Sequence, residues 1–139
     1  MIRINEKVKN QIAAHGQSTY PYECCGFVFG DENNDERFLH TLLEVTNSHE
    51  GDHRRRFQID PKDYLKAEKY ADENNITFLG IYHSHPDHPS VPSEHDRVQA
   101  MPFFSYLILS VRDGKAESLQ SWRLNNEFQF TEEKIKLNK

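Results

Sequence analysis

Residues 83–85 read His83-Ser84-His85, and an aspartate, Asp96, follows after a stretch broken by Pro86, Pro89 and Pro92. If the chain is extended through 83–85, positions i and i+2 point to the same side, so both imidazoles can share one cation. The prolines stiffen the connecting segment, give the chain a defined path back to the histidines and offer Asp96 as an oxygen donor. Two histidines and one carboxylate leave a fourth tetrahedral position for water, as in catalytic rather than structural zinc sites. The pKa of such a water falls to about 7, so a nearby carboxylate suffices to take its proton. That carboxylate has to come from elsewhere in the chain.

The elements that must position these groups follow from patterning. Residues 77–82 (TFLGIY) are a continuous β-branched and aromatic run, the pattern of a buried central strand, and lead directly into His83. Ser93 has the form of an N-cap, which puts Asp96 in the first turn of a short helix through Ala100. Upstream, Ile4, Val8 and Ile12 recur every four residues with Asn5 as a cap, predicting an amphipathic helix that reaches about Ala14 and lies on a sheet. Residues 24–30 (CCGFVFG) and 38–45 predict a hairpin across the polar turn DENNDE. A strand is expected at 57–59, and Asp60-Pro61 starts a second helix that Asn74-Asn75 closes. Residues 103–111 and 117–124 predict strands joined across Asp113-Gly114, and Phe128 and Phe130 alternate in a last short strand. The lysine-rich tail from about residue 131 is expected to fray. The order of elements predicts a single α+β domain over residues 1–139, with a mixed, highly curved sheet flanked by helices.

Composition narrows the function classes. A chain of 139 residues has room for one core, and a formal charge of -5 without a long basic stretch argues against nucleic acid. The one basic cluster, Arg54-Arg55-Arg56, suits a solvated face or a hold on an acidic partner. No window approaches the roughly 20 apolar residues of a membrane span, and the N-terminus lacks the apolar core of a signal peptide, so a cytoplasmic protein is expected, without a membrane partner. Cys24 and Cys25 are adjacent and make neither a disulfide framework nor a CxxC knuckle; both read as structural. His15, His40, His49 and His53 have no partner pattern and are assigned to the surface.

The segment His83-Ser84-His85, seven residues, Ser93, two residues, Asp96 resembles the JAMM (MPN+) signature of JAB1/MPN/Mov34-type zinc metalloproteases without departure. The resemblance implies an MPN/JAMM domain of the cytidine-deaminase-like fold and one zinc ion held by His83, His85 and Asp96. It also implies Glu23, in PYE-CCGFVFG, as the base that takes the proton from the zinc water and returns it to the leaving amine, and Ser93 as support for the developing oxyanion. Such proteases resemble isopeptidases that cut beside the C-terminal tails of ubiquitin-like proteins. A compact bacterial member implies a sulfur-carrier-type substrate with a glycine-rich tail, including release of cysteine from the carrier. Ser84, His88, Arg54 and Arg56 are candidates for the substrate rim, residues 47–56 for a substrate-facing flap, and a homodimer is one oligomeric form left open.

Three other readings compete. His83-Ser84-His85-Pro86-Asp87-His88 also matches HxHxDH of metallo-β-lactamase-type hydrolases, but that family needs ligand histidines farther on and none follows His95. A zinc deaminase needs a glutamate after its first ligand and a PCxxC pair, and neither is present. A catalytically silent MPN scaffold would typically lack the donors that this chain keeps.

Overall fold

The computed structural model describes residues 1–47 and 57–138. Among these residues eight strands, β1 (Ile2–Asn5), β2 (Cys25–Asn33), β3 (Glu36–Val45), β4 (Thr77–Pro86), β5 (Ser105–Arg112), β6 (Lys115–Leu124), β7 (Phe130–Glu133) and β8 (Ile135–Asn138), form one sheet in the order β7-β6-β5-β4-β2-β3-β1-β8. Its helices are α1 (Glu6–Thr19), α2 (Pro61–Glu73) and α3 (Glu94–Gln99). The sheet is mixed: β1 runs parallel to β3 and β8, β4 runs parallel to β5, and the other pairs are antiparallel. Among the described residues no helix is long and apolar enough to cross a membrane.

Each face of the sheet carries its own apolar layer. Val8 and Ile12 of α1 pack with Val28, Leu79, Tyr82, Leu107 and Leu109. Ala67 and Ala71 of α2 pack with Phe27, Phe29, Phe78, Ile81 and Tyr106 on the opposite face. Strand alternation decides which side chain joins which layer. In β4, Tyr82 belongs to the α1 layer and Ile81 to the α2 layer, so His83 and His85 emerge on the α2 side and Ser84 on the α1 side.

Several sequence expectations hold, among them the hairpin, the Asp60 cap with Pro61 at the start of α2, and the Ser93 cap of α3. Others are corrected. Ile4 lies in a strand, with Asn5 capping a helix that continues past Ala14 to Thr19. Its four-residue spacing from Val8 arises because the end of β1 and the start of α1 bury side chains in the same layer. Residues 57–59 are not a strand; Phe57 and Ile59 are buried anchors in the connection that leads to α2. The tail does not fray: Ile135–Asn138 pairs in parallel with Ile2–Asn5, and Ile135 and Leu137 pack against the α1 layer. Phe128 occupies a turn at φ 58°, and β7 begins at Phe130.

The far end of the sheet is tied by a fully buried charge. Arg37 on β3 donates to Leu79 O at 3.0 Å, Ser105 Oγ at 3.0 Å and Phe103 O at 2.7 Å, and pairs with Glu32 at 2.8 Å. All three guanidinium nitrogens have acceptors, which lets the charge sit inside. Close backbone approach limits the sheet elsewhere. At Gly30, where the β2–β3 register shifts, a Cβ would lie 1.7 Å from Phe38 O. Gly30→Ala therefore forces the two strands apart, and urea titration should show a loss of about 1–3 kcal/mol.

Candidate metal centre

The C-terminal end of β4 places His83 and His85 side by side, with Cys25 of β2 paired to His83 on one flank and Ile108 of β5 on the other. Asp96 comes from the first turn of α3, where it and Ser93 form a capping box: Asp96 N–H donates to Ser93 Oγ at 3.1 Å, and Ser93 N–H donates to Asp96 Oδ2 at 2.9 Å. The cap turns the carboxylate toward the histidines. His83 Nε2 lies 3.1 Å from His85 Nε2 and 3.2 Å from Asp96 Oδ1, and His85 Nε2 lies 3.1 Å from Asp96 Oδ2.

These spacings suit a shared cation. Donors about 2.0–2.1 Å from a tetrahedral zinc ion stand about 3.3–3.4 Å apart, close to the edges of this triangle. His85 Nδ1 is 2.8 Å from Pro89 O, a pure acceptor, so a ring proton is held on Nδ1 and Nε2 is the nitrogen turned to Asp96. One cation shared by His83 Nε2, His85 Nε2 and Asp96 would satisfy all three.

Electrostatics favour the deprotonated donors. Burial pushes His83 down from its ordinary imidazole value, against the opposing pull of Asp96. Burial alone would raise the Asp96 carboxyl, but the charge and hydrogen bonds of His83, with those of His85, reverse that and hold it below the usual carboxylate range. Phe57 stacks on the His83 ring, with centroids 4.4 Å apart and planes 25° apart, and fixes its plane.

Glu23 is brought to the same place by the connection from α1 to β2. It is 4% exposed, and donor atoms of Glu23, His83 and His85 all lie within 4.8 Å of one another. Two overlapping triads therefore exist. One is His83–His85–Asp96, with its closest donor pairs at 3.1–3.2 Å; the other is Glu23–His83–His85. The cleft over these groups has a volume of about 640 Å³ and is lined by Glu23, His85, Pro86, His88, Pro89, Val91 and Ser93. Ser93 Oγ accepts from Asp96 N–H, so its own hydroxyl proton is available to the cleft.

Other sequence expectations sort as follows. His88 lines the cleft, and its carbonyl accepts Ser110 Oγ–H at 2.6 Å. Ser84 is not a rim residue: it is fully buried beneath the sheet, and its Oγ accepts Cys24 N–H at 2.9 Å. The strand parity that exposes both histidines turns Ser84 away. His15 is not a surface residue either; its side chain is 10% exposed and its Nδ1 lies 2.7 Å from the Tyr82 hydroxyl. Cys24 and Cys25 are buried thiols, pushed up by burial to about 11 and about 12, and fit the structural reading. Arg54, Arg56, His49, His53 and all of the flap candidate except Asn47 lie outside the described residues. Sequence reading missed Asp87 as a junction: its carboxylate accepts Tyr20 Oη–H at 2.6 Å and Asp113 N–H at 2.9 Å.

The family model for prokaryotic homologs of the JAB domain matches residues 5–125. The chain belongs to this family. This JAB domain is 34% identical over 120 residues to a desampylase of Pyrococcus furiosus, covering 85% of the chain and 78% of that protein. It is 27% identical over 122 residues to the CysO-cysteine peptidase of Mycobacterium tuberculosis, covering 87% of the chain and 81% of that protein. The solution structure of a protein from Desulfitobacterium hafniense, 31% identical, superposes with a TM-score of 0.87 over 99% of this chain and 93% of that one. At 15% identity the same fold recurs in JAB1/MPN-domain proteins of known structure. The JAB domain is a JAMM/MPN+ protein and a hydrolase.

Proposed function

We propose that this JAB domain is a zinc-dependent peptidase or isopeptidase that hydrolyses an amide bond at or near the C-terminal tail of a ubiquitin-like, sulfur-carrier-type protein. The observation that carries the reading is the donor triangle of His83 Nε2, His85 Nε2 and Asp96, with a Glu23 carboxylate oxygen within 4.8 Å of donor nitrogens of both histidines. Bound there, zinc supplies a Lewis acid for the amide carbonyl and lowers the pKa of a water. Everything else falls to the chain's own side chains. Glu23 accepts the water proton and carries it to the departing amine, so that the nitrogen leaves as a neutral amine. The Ser93 hydroxyl donates to the carbonyl oxygen as negative charge builds there. The Pro89 carbonyl keeps His85 in the Nδ1–H tautomer, so its Nε2 stays a donor to metal.

Support for the substrate class comes from the relatives, one a desampylase and the other a CysO-cysteine peptidase, both matched over most of their length. We read the whole chain as one JAB unit and its compartment as the cytoplasm. A glycine-rich tail suits a cleft floored by buried donors, where small side chains let the scissile amide approach. Retention of the complete donor set and the base favours turnover over a silent scaffold.

The test is reconstitution. Dialysis against a chelator should abolish cleavage of carrier-tail fusions and lower the melting temperature, and one equivalent of zinc should restore both. Release of free cysteine from a carrier adduct should be assayed alongside cleavage of a lysine-linked conjugate, since the two adducts separate peptidase from isopeptidase activity. A zinc-loaded protein that cleaves neither would sink the proposal.

A further inference from the structure

We infer that Tyr20 and Asp87 are a positioning pair for Glu23, their hydrogen bond setting the reach of that carboxylate over the donor triangle; the inference rests on the proton-acceptor role proposed for Glu23. Glu23 stands on a short bridge between two anchored points. One anchor is Cys24, whose N–H donates to Ser84 Oγ at 2.9 Å and whose carbonyl accepts Ser84 N–H at 3.1 Å. The other is Tyr20, the C-cap of α1, whose phenol donates to Asp87 Oδ2 at 2.6 Å.

Both anchors refer to the strand that bears the histidines. Ser84 lies between His83 and His85, and Asp87 directly follows Pro86, the last residue of β4. Asp87 is itself fixed: it takes a left-handed φ of 58°, donates its N–H to Val111 O at 2.7 Å and accepts Asp113 N–H on Oδ1 at 2.9 Å. The Glu23 carboxylate is thereby measured from the same backbone as His83 and His85. Asn47 adds a longer contact, Nδ2 to Glu23 O at 3.3 Å. Between the anchors Tyr22 is tied back to Thr19, its N–H donating to Thr19 O at 2.8 Å and its carbonyl accepting Thr19 Oγ1–H at 3.1 Å, so the segment moves with the end of α1 and the Tyr20–Asp87 bond ties that unit to the end of β4. Asp87 is exposed, so the bond contributes to placement far more than to global stability.

The variants are Tyr20→Phe, Asp87→Gly, Asp87→Asn and the double Tyr20→Phe/Asp87→Gly, all in the full zinc-loaded chain. Glycine accepts the left-handed backbone but removes the acceptor, and asparagine tolerates that backbone while keeping a hydrogen-bonding group toward each partner. Tyr20→Phe and Asp87→Gly should each lower kcat on a carrier-tail fusion about ten-fold with KM within about two-fold, as expected when alignment and not binding is lost. The double variant should fall no further than either single, and Asp87→Asn should stay within about two-fold of the native kcat. Amide exchange at Tyr22 and Cys24 should quicken in Tyr20→Phe and Asp87→Gly but not in Asp87→Asn, while Ile108 exchanges as in the native chain. Native kcat in Tyr20→Phe, damage in Asp87→Asn equal to that in Asp87→Gly, or unchanged exchange at Tyr22 and Cys24 would each overturn the inference. Should the native protein cleave no fusion at all, the proposed function fails on its own, and the exchange measurement alone decides whether this pair holds the Glu23 segment.

Discussion

Glu23→Gln retains its zinc and hydrolyses carrier-tail amides about 10²–10⁴-fold more slowly than the native chain, the usual range for loss of a general acid–base group. The amide of glutamine has the size and much of the hydrogen-bonding capacity of the carboxylate but cannot take up a proton. Metal content should hold because the donor triangle of His83, His85 and Asp96 is complete without Glu23. The paired measurements are metal stoichiometry and kcat. The informative outcome is their divergence. A protein that lost zinc together with activity would move Glu23 into the donor set, and one with full activity would remove it from the mechanism.

Asp96→Ala should do the reverse and lose the metal. Loss of a hydrogen-bonding partner behind a metal ligand already weakens metal binding by about 10–100-fold, so removal of a ligand should exceed that range in a chelator competition assay. Alanine also strips the Ser93 N–H of its acceptor, and the capping box at the start of α3 is worth about 1 kcal/mol. The control is Asp96→Asn, which keeps an oxygen for the cap while discarding the charge. If zinc loss in Asp96→Asn matches that in Asp96→Ala while the helix cap survives, the charge is the ligand property that counts. The two substitutions, Glu23→Gln and Asp96→Ala, together decide which of the overlapping triads holds the ion.

The clustering of His83, His85 and Asp96 was legible because its information is local. Strand alternation through 83–85 and a serine cap ahead of Asp96 each depend on a few neighbouring residues, and the structure brings the three side chains together as that spacing implies. Glu23 was reached through the JAMM resemblance, since no local pattern in PYECC says that its side chain faces β4. The errors share a different cause. Ser84 was assigned to the rim although the alternation that aims both histidines outward must aim it inward. His15 was assigned to the surface because its partner, Tyr82, is 67 positions away. The pairing of the C-terminal β8 with the first strand is a contact between the two ends of the chain, invisible to any window of sequence. Residues 57–59 have strand composition, but their apolar side chains fill the layer beneath α2, and Phe57 braces His83. Burial alone accounts for that composition.

The placement of alternate β4 side chains in opposite layers makes the length of this strand an all-or-none property. One residue inserted between Gly80 and His83 would leave most of the hydrogen-bond ladder available to β2 and β5 but would rotate Ser84 into the cleft and both imidazoles into the apolar layer of α1. Substitutions along the strand can be graded in effect, whereas a change of one codon in length cannot. A deep insertion–deletion scan of residues 77–86 should therefore tolerate no single-residue event, and the loop from Asp87 to Pro92 should be nearly as strict, since its Pro89 carbonyl orients His85 and its His88 carbonyl is held by Ser110.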